Sequence, residues 1–110
     1  MTNKRFIYGT IYSVDEIGLI YAYGDQLVPV VKNDTGYFVE ANLGQGLKEY
    51  PAPVLVMLAF GKLKLNHHLL NFIEPLYRDL NCFNLSPGNL TYRFTVIPLP
   101  VENRADFYYI

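Results

Sequence analysis

Over the first forty or so residues, apolar and polar positions come in short runs rich in β-branched and aromatic side chains, separated by turn formers. Such runs fit a pleated, half-buried surface, so this region is expected to be β-structure. Four strands are predicted, at about Arg5 to Val14, Leu19 to Tyr23, Leu27 to Lys32 and Tyr37 to Ala41. Asp15-Glu16-Ile17-Gly18, Gly24-Asp25 and Asn33-Asp34-Thr35-Gly36 supply the turns. Strands this close in sequence can pair only as antiparallel neighbours, because a parallel pair needs a long crossover. The expectation is a meander. Pro29 cannot donate to a ladder, which makes the third strand interrupted or peripheral.

From Asn42 to Tyr50 the chain turns polar and carries Gly44 and Gly46, the pattern of a connecting loop. Pro51 and Pro53 then suit the first turn of a helix, and Val54 to Phe60 is expected to continue it, a buried strand being the alternative. Asn66 is a plausible N-cap. Leu69, Leu70, Phe72, Ile73, Leu76 and Leu80 follow at helical spacing, with a break expected near Ile73-Glu74 because the Pro75 ring clashes with a helical carbonyl. Ser86-Pro87-Gly88-Asn89 marks a turn. Beyond it Leu90, Tyr92, Phe94 and Val96 alternate with Thr91, Arg93 and Thr95, the pattern of a strand with one wet face that returns to pair with the meander. Pro98 and Pro100 end it, and the apolar tail Asp106 to Ile110 is expected to dock as a last strand or on a partner.

The resulting fold class is α+β, an N-terminal antiparallel meander of about four strands, a central helical segment and a C-terminal strand returning to the sheet. A small β-barrel with one helical insertion is the alternative. The 110 residues are enough for one core without staples, so a single globular domain over 1–110 is expected. Nine basic side chains stand against ten acidic ones. With a formal charge of -1 there is no basic footprint, which argues against nucleic acid as a partner. Cys82 has no partner for a disulfide, no apolar leader follows Met1, and the longest apolar run, Ala52 to Phe60, is about half a membrane span. The chain is expected to be cytoplasmic, with no membrane association.

Chemistry is sparse. His67 and His68 are adjacent, so on a helix they point about 100° apart rather than converging on a metal. Cys82 reads as a structural thiol, and Asp15, Glu16, Glu74 and Asp79 as solvated charge. Gly44-Gln45-Gly46 lacks the context of a phosphate loop. No metal, cofactor or catalytic set is expected.

What stands out is ten tyrosines and seven phenylalanines with no tryptophan. In an unbroken first strand Phe6, Tyr8, Tyr12 and Val14 would share one face, and Ile7 and Ile11 the other. Either one sheet face presents tyrosines to a partner, or both faces are covered and the tyrosines are core. The expected function is a non-enzymatic protein-binding module, an adaptor or inhibitor of the kind carried by phages and mobile elements, acting through an aromatic sheet face and the apolar tail. The candidate binding residues are Tyr8, Tyr12, Tyr21, Tyr23, Arg93, Phe107, Tyr108 and Tyr109. A homodimer formed through the tail or an edge strand is a further partner reading. The alternative is a small-ligand or nucleotide-binding module with a tyrosine-lined pocket and Arg78, Arg93 or Arg104 for an anion. A compact enzyme using a histidine and a single-strand nucleic-acid binder rank below these.

Overall fold

A computed structural model describes residues 3–79 and 84–95. Cys82, Leu80, Arg104 and the tail residues Phe107, Tyr108 and Tyr109 lie outside the described residues. Among those described, three open antiparallel sheets and a buried helix make an α+β arrangement, and no sheet closes into a barrel.

The first sheet is a four-stranded meander of β1 (Lys4–Phe6), β2 (Tyr12–Asp15), β3 (Ile20–Ala22) and β4 (Gln26–Leu27). The expected first strand is therefore two strands. Gly9 adopts φ 77°, and the Thr10 hydroxyl donates to the Ile7 carbonyl at 2.8 Å while accepting from the Tyr12 N–H at 3.1 Å. A short hydroxyl side chain thus offers the backbone a local turn in place of an unbroken ladder. On the inner face Tyr12 and Val14 lie opposite Ala22 and Ile20, and all four enter the core.

Pro29 separates β4 from β5 (Val31–Asn33), as its missing donor requires, and splits the third strand between two sheets. β5 pairs with β6 (Gly36–Asn42), and β6 with β7 (Leu47–Pro51). Strand β7 stands where a loop was expected. Of Leu47, Lys48, Glu49 and Tyr50 only Tyr50 is buried, so the segment is polar because most of it faces water. Gly44 and Gly46 lie between β6 and β7, at φ 113° and 81°.

Helix α1 (Ala52–Ala59) continues directly from β7, with all eight residues buried. Pro53 lies in its first turn, where an N–H would find no helical acceptor. At the other end Gly61 takes φ 76°, its N–H reaches the Leu58 carbonyl, and the Lys62 N–H donates to Met57 at 2.9 Å. This is a Schellman turn, which satisfies carbonyls the helix leaves free. The helix packs against β2, β6, β7, β8 and β9, so all three sheets share it as their core.

The second helical stretch is much shorter than its apolar spacing implies. Helix α2 spans only His67–Leu70, capped by Asn66, whose side-chain oxygen accepts from the His68 N–H at 3.0 Å. Ile73–Tyr77 then forms strand β8, paired with β9 (Leu90–Phe94) after a single 3-10 turn at Pro87–Asn89. Leu76 therefore lies on a strand, and Pro75 sits opposite Tyr92. A two-stranded sheet leaves one side of each strand unpaired, which is where proline is tolerated. β9 pairs with β8 and not with the meander.

Leu55 is completely buried in the shared helix, so Leu55→Ala is expected to cost about 2–5 kcal/mol in urea unfolding. The exposed Leu47→Ala should stay within about 0.5 kcal/mol of the parent. A second comparison tests how the first sheet meets the segment before β9. Gly18 and Gly24 both hold φ 92°, but a Cβ on Gly18 would strike the Leu85 carbonyl and lie 2.6 Å from its Cβ, whereas one on Gly24 meets open space. Gly18→Ala should lose at least about 1 kcal/mol more than Gly24→Ala in the same assay.

Candidate functional site

The outer face of the first sheet collects the polar chemistry of the meander. Register places Phe6, Ser13, Tyr21 and Leu27 in one row across all four strands, and Lys4 opposite Asp15 in the next. Asp15 is fully buried, not the solvated charge its place beside a turn implied. One carboxylate oxygen accepts from the N–H groups of Ile17 at 3.1 Å and Leu19 at 2.9 Å, and the other from the Tyr21 hydroxyl at 3.0 Å. Its backbone closes the same turn, with the Gly18 N–H donating to the Asp15 carbonyl at 3.1 Å. The aspartate therefore organises the β2–β3 connection from inside.

Lys4 lies across this face. Its ammonium is 3.8 Å from the centre of the Tyr21 ring and donates to the Gly24 carbonyl at 2.7 Å, tying the edge strand β1 to the β3–β4 turn. Ser13 Oγ is buried without a hydrogen-bond partner, alone in this respect among the described side chains. The polar centre is thus mostly spent on internal bonds, and what the face offers outward is apolar.

Seven of the eleven large hydrophobic side chains exposed in the described residues belong to this sheet and its turns: Phe6, Tyr8, Ile11, Ile17, Leu19, Tyr23 and Leu27. Tyr8 and Tyr23 are the most open, at 95% and 73%. They occupy the β1–β2 and β3–β4 turns at the same end of the sheet, linked by the Tyr23 N–H donating to the Ile11 carbonyl at 3.0 Å. Tyr23 holds φ 53°, the left-handed region that non-glycine residues seldom enter.

The meander tyrosines divide between the two expected roles. Tyr8 and Tyr23 face water, and Tyr12 is core at 6% exposure, its hydroxyl accepting from the Asn42 N–H at 3.0 Å. Tyr21 is half-buried on the outer face. Arg93 is elsewhere, on β9, exposed and paired with Glu74 at 2.7 Å directly across the ladder. His67 lies against the β6–β7 turn, with Gly44 close to its imidazole, and His68 is exposed. Sequence reasoning missed Leu27 and the exposed Ile17 and Leu19 as surface.

Among the described residues no three His, Cys, Asp or Glu side chains gather as a metal site would require, and no helix is long and apolar enough to cross a membrane.

Three tyrosines have hydroxyls held protonated beyond the ordinary range near 10.0: Tyr21 by its hydrogen bond to Asp15, and Tyr50 and Tyr77 by burial. A phenol whose pKa is raised by folding adds stability that is complete below its unfolded pKa and is lost as pH climbs through the folded one. Stability is therefore expected to fall above about pH 10 through these phenols. Chemical unfolding across the alkaline range should show a shallower fall in Tyr21→Phe, alongside a loss of stability already present below about pH 10 from the acceptor left on Asp15. Comparison of the chain with family models, with characterised proteins and with solved structures finds no match, so its functional reading rests on this geometry.

Proposed function

We propose that the chain is a non-enzymatic protein-binding module, an adaptor or inhibitor that engages another protein through the apolar outer rim and turns of its first sheet. The observation that carries the reading is the concentration of exposed large hydrophobics between Phe6 and Leu27, with two open tyrosines on adjacent turns. Single exposed apolar side chains are ordinary, but a group on one sheet marks a surface that gains by being covered. Tyrosine suits such a surface, because it brings contact area with few rotatable bonds and keeps a hydroxyl for the wet margin.

The internal bonding of the polar centre supports the same view. Lys4 and Asp15 each engage Tyr21 and the backbone, so internal contacts fix the polar centre of the face before anything binds. A partner meeting a preorganised surface loses less conformational freedom than one that must order it. Tyr12 serves by packing beneath this face, and Phe107, Tyr108 and Tyr109 remain candidates on sequence grounds alone.

Immobilised protein incubated with lysate of its source cells is expected to retain one protein in near-stoichiometric amount. The double variant Tyr8→Ser/Tyr23→Ser should weaken that retention about tenfold or more, and Leu47→Ser, on the second sheet, should leave it unchanged. Equal retention by all three forms, or no retained protein, would overturn the reading. A doubled solution mass that disappears in the tyrosine variant would replace the foreign partner with a second copy of this chain.

A further inference from the structure

A groove of about 390 Å³ lies between the turn that ends α1, the start of α2 and the β8–β9 sheet. This is within the range of small-ligand pockets, roughly 300–1,000 Å³. Its lining includes Lys62, Lys64, Asn66, Leu69, Tyr92 and Phe94, with no carboxylate among the described residues. Tyr92 and Phe94 meet edge to face with ring centres 5.7 Å apart, giving one wall an aromatic surface.

Lys62 is held there by the fold. It follows the Schellman turn, and its ammonium donates to the carbonyls of Pro87 and Leu90, the latter at 2.8 Å. Two of its three N–H bonds are spent in this way. The carbonyls solvate the charge without neutralising it. Among the described residues the ion pair formed is Arg93 with Glu74, so no carboxylate answers Lys62. A half-buried ammonium in that state favours any anion that can reach it, and Lys64 in the same lining adds a second positive charge.

We infer that this groove binds a small organic carboxylate with an apolar body, its charge on Lys62 and Lys64 and its body against Leu69, Tyr92 and Phe94. An organic carboxylate is preferred over inorganic phosphate by the apolar lining, since covering Leu69 and Phe94 is gained only if the ligand brings apolar surface of its own. This site lies on a different sheet from the apolar rim, and neither reading depends on the other.

The test is a titration of uniformly ¹⁵N-labelled protein, followed by amide chemical shifts, with 4-phenylbutyrate, its uncharged amide and inorganic phosphate. Saturable shifts with 4-phenylbutyrate are expected at 61–66, 69 and 92–94. The amide should bind about tenfold more weakly or worse, for want of the charge-assisted bond, and phosphate should not saturate. Lys64→Met and Phe94→Ser, both at exposed positions, should each weaken binding while leaving the remaining resonances in place. Equal binding of acid and amide, saturation by phosphate at the same residues, shifts confined to other surfaces, or no saturable shift with 4-phenylbutyrate would each overturn the inference.

Discussion

Helix α1 buries all eight of its residues, and the absence of any wet side on it constrains every other element. One sheet covers one side of a helix, so enclosing α1 takes β-structure from several directions, and β2, β6, β7, β8 and β9 all reach it. This explains why the β-structure is divided into three small sheets rather than rolled into one barrel. Each large side chain buried there contributes roughly 1.5–3 kcal/mol, against a net stability for a domain of about 5–15 kcal/mol. Loss of this helix is therefore equivalent to loss of the fold. Its ends are handled by chemistry suited to burial: prolines where no N–H is wanted, and a glycine turn that returns N–H groups to the last carbonyls.

Sheets gathered around one helix must also be fixed to each other, and a few polar and backbone contacts do this. Asp15 shapes the β2–β3 turn from within, and Gly18 in that turn lets the Leu85 backbone approach closely. Lys62 joins the end of α1 to the carbonyls that precede and begin β9. Arg5 places its guanidinium 5.3 Å from the centre of the Phe60 ring, linking the edge strand β1 to the same helix end. The Asp15 and Lys62 contacts satisfy buried or half-buried polar groups, and those of Gly18, Lys62 and Arg5 set the relative positions of elements that share no ladder.

The two proposed binding surfaces follow from that layout. The first sheet spends its inner face on α1, and among the described residues no layer lies over the rim of its outer face, so apolar side chains from Phe6 to Leu27 remain in water. A groove lies between the two-stranded sheet and the helix end, and the lysine that closes the junction is part of its lining. In both cases the functional candidate is a by-product of how a small number of short strands enclose one apolar helix.

Local chemistry alone determined a good part of this. The turns at Gly18 and Gly24, the interruption at Pro29, the strand Gly36–Asn42, the helix beginning after Pro51, the Asn66 cap and the strand from Leu90 each follow from residues that act on their own backbone. The misread segments are those where a distant partner decides. Leu47–Pro51 has a polar composition and becomes a strand because β6 offers it a ladder. Ile73–Tyr77 has helical apolar spacing, but Pro75 weakens the helix and β9 supplies pairing across its whole length. Whether a tyrosine is core or surface was equally beyond the chain's own pattern, since Tyr8 and Tyr12 are equivalent by spacing and only the turn at Gly9 separates them. Residue types specify the local conformations that the backbone can hold cheaply. Burial, strand partnership and the company a charge keeps are properties of the assembled fold, because each depends on groups brought together from far along the chain.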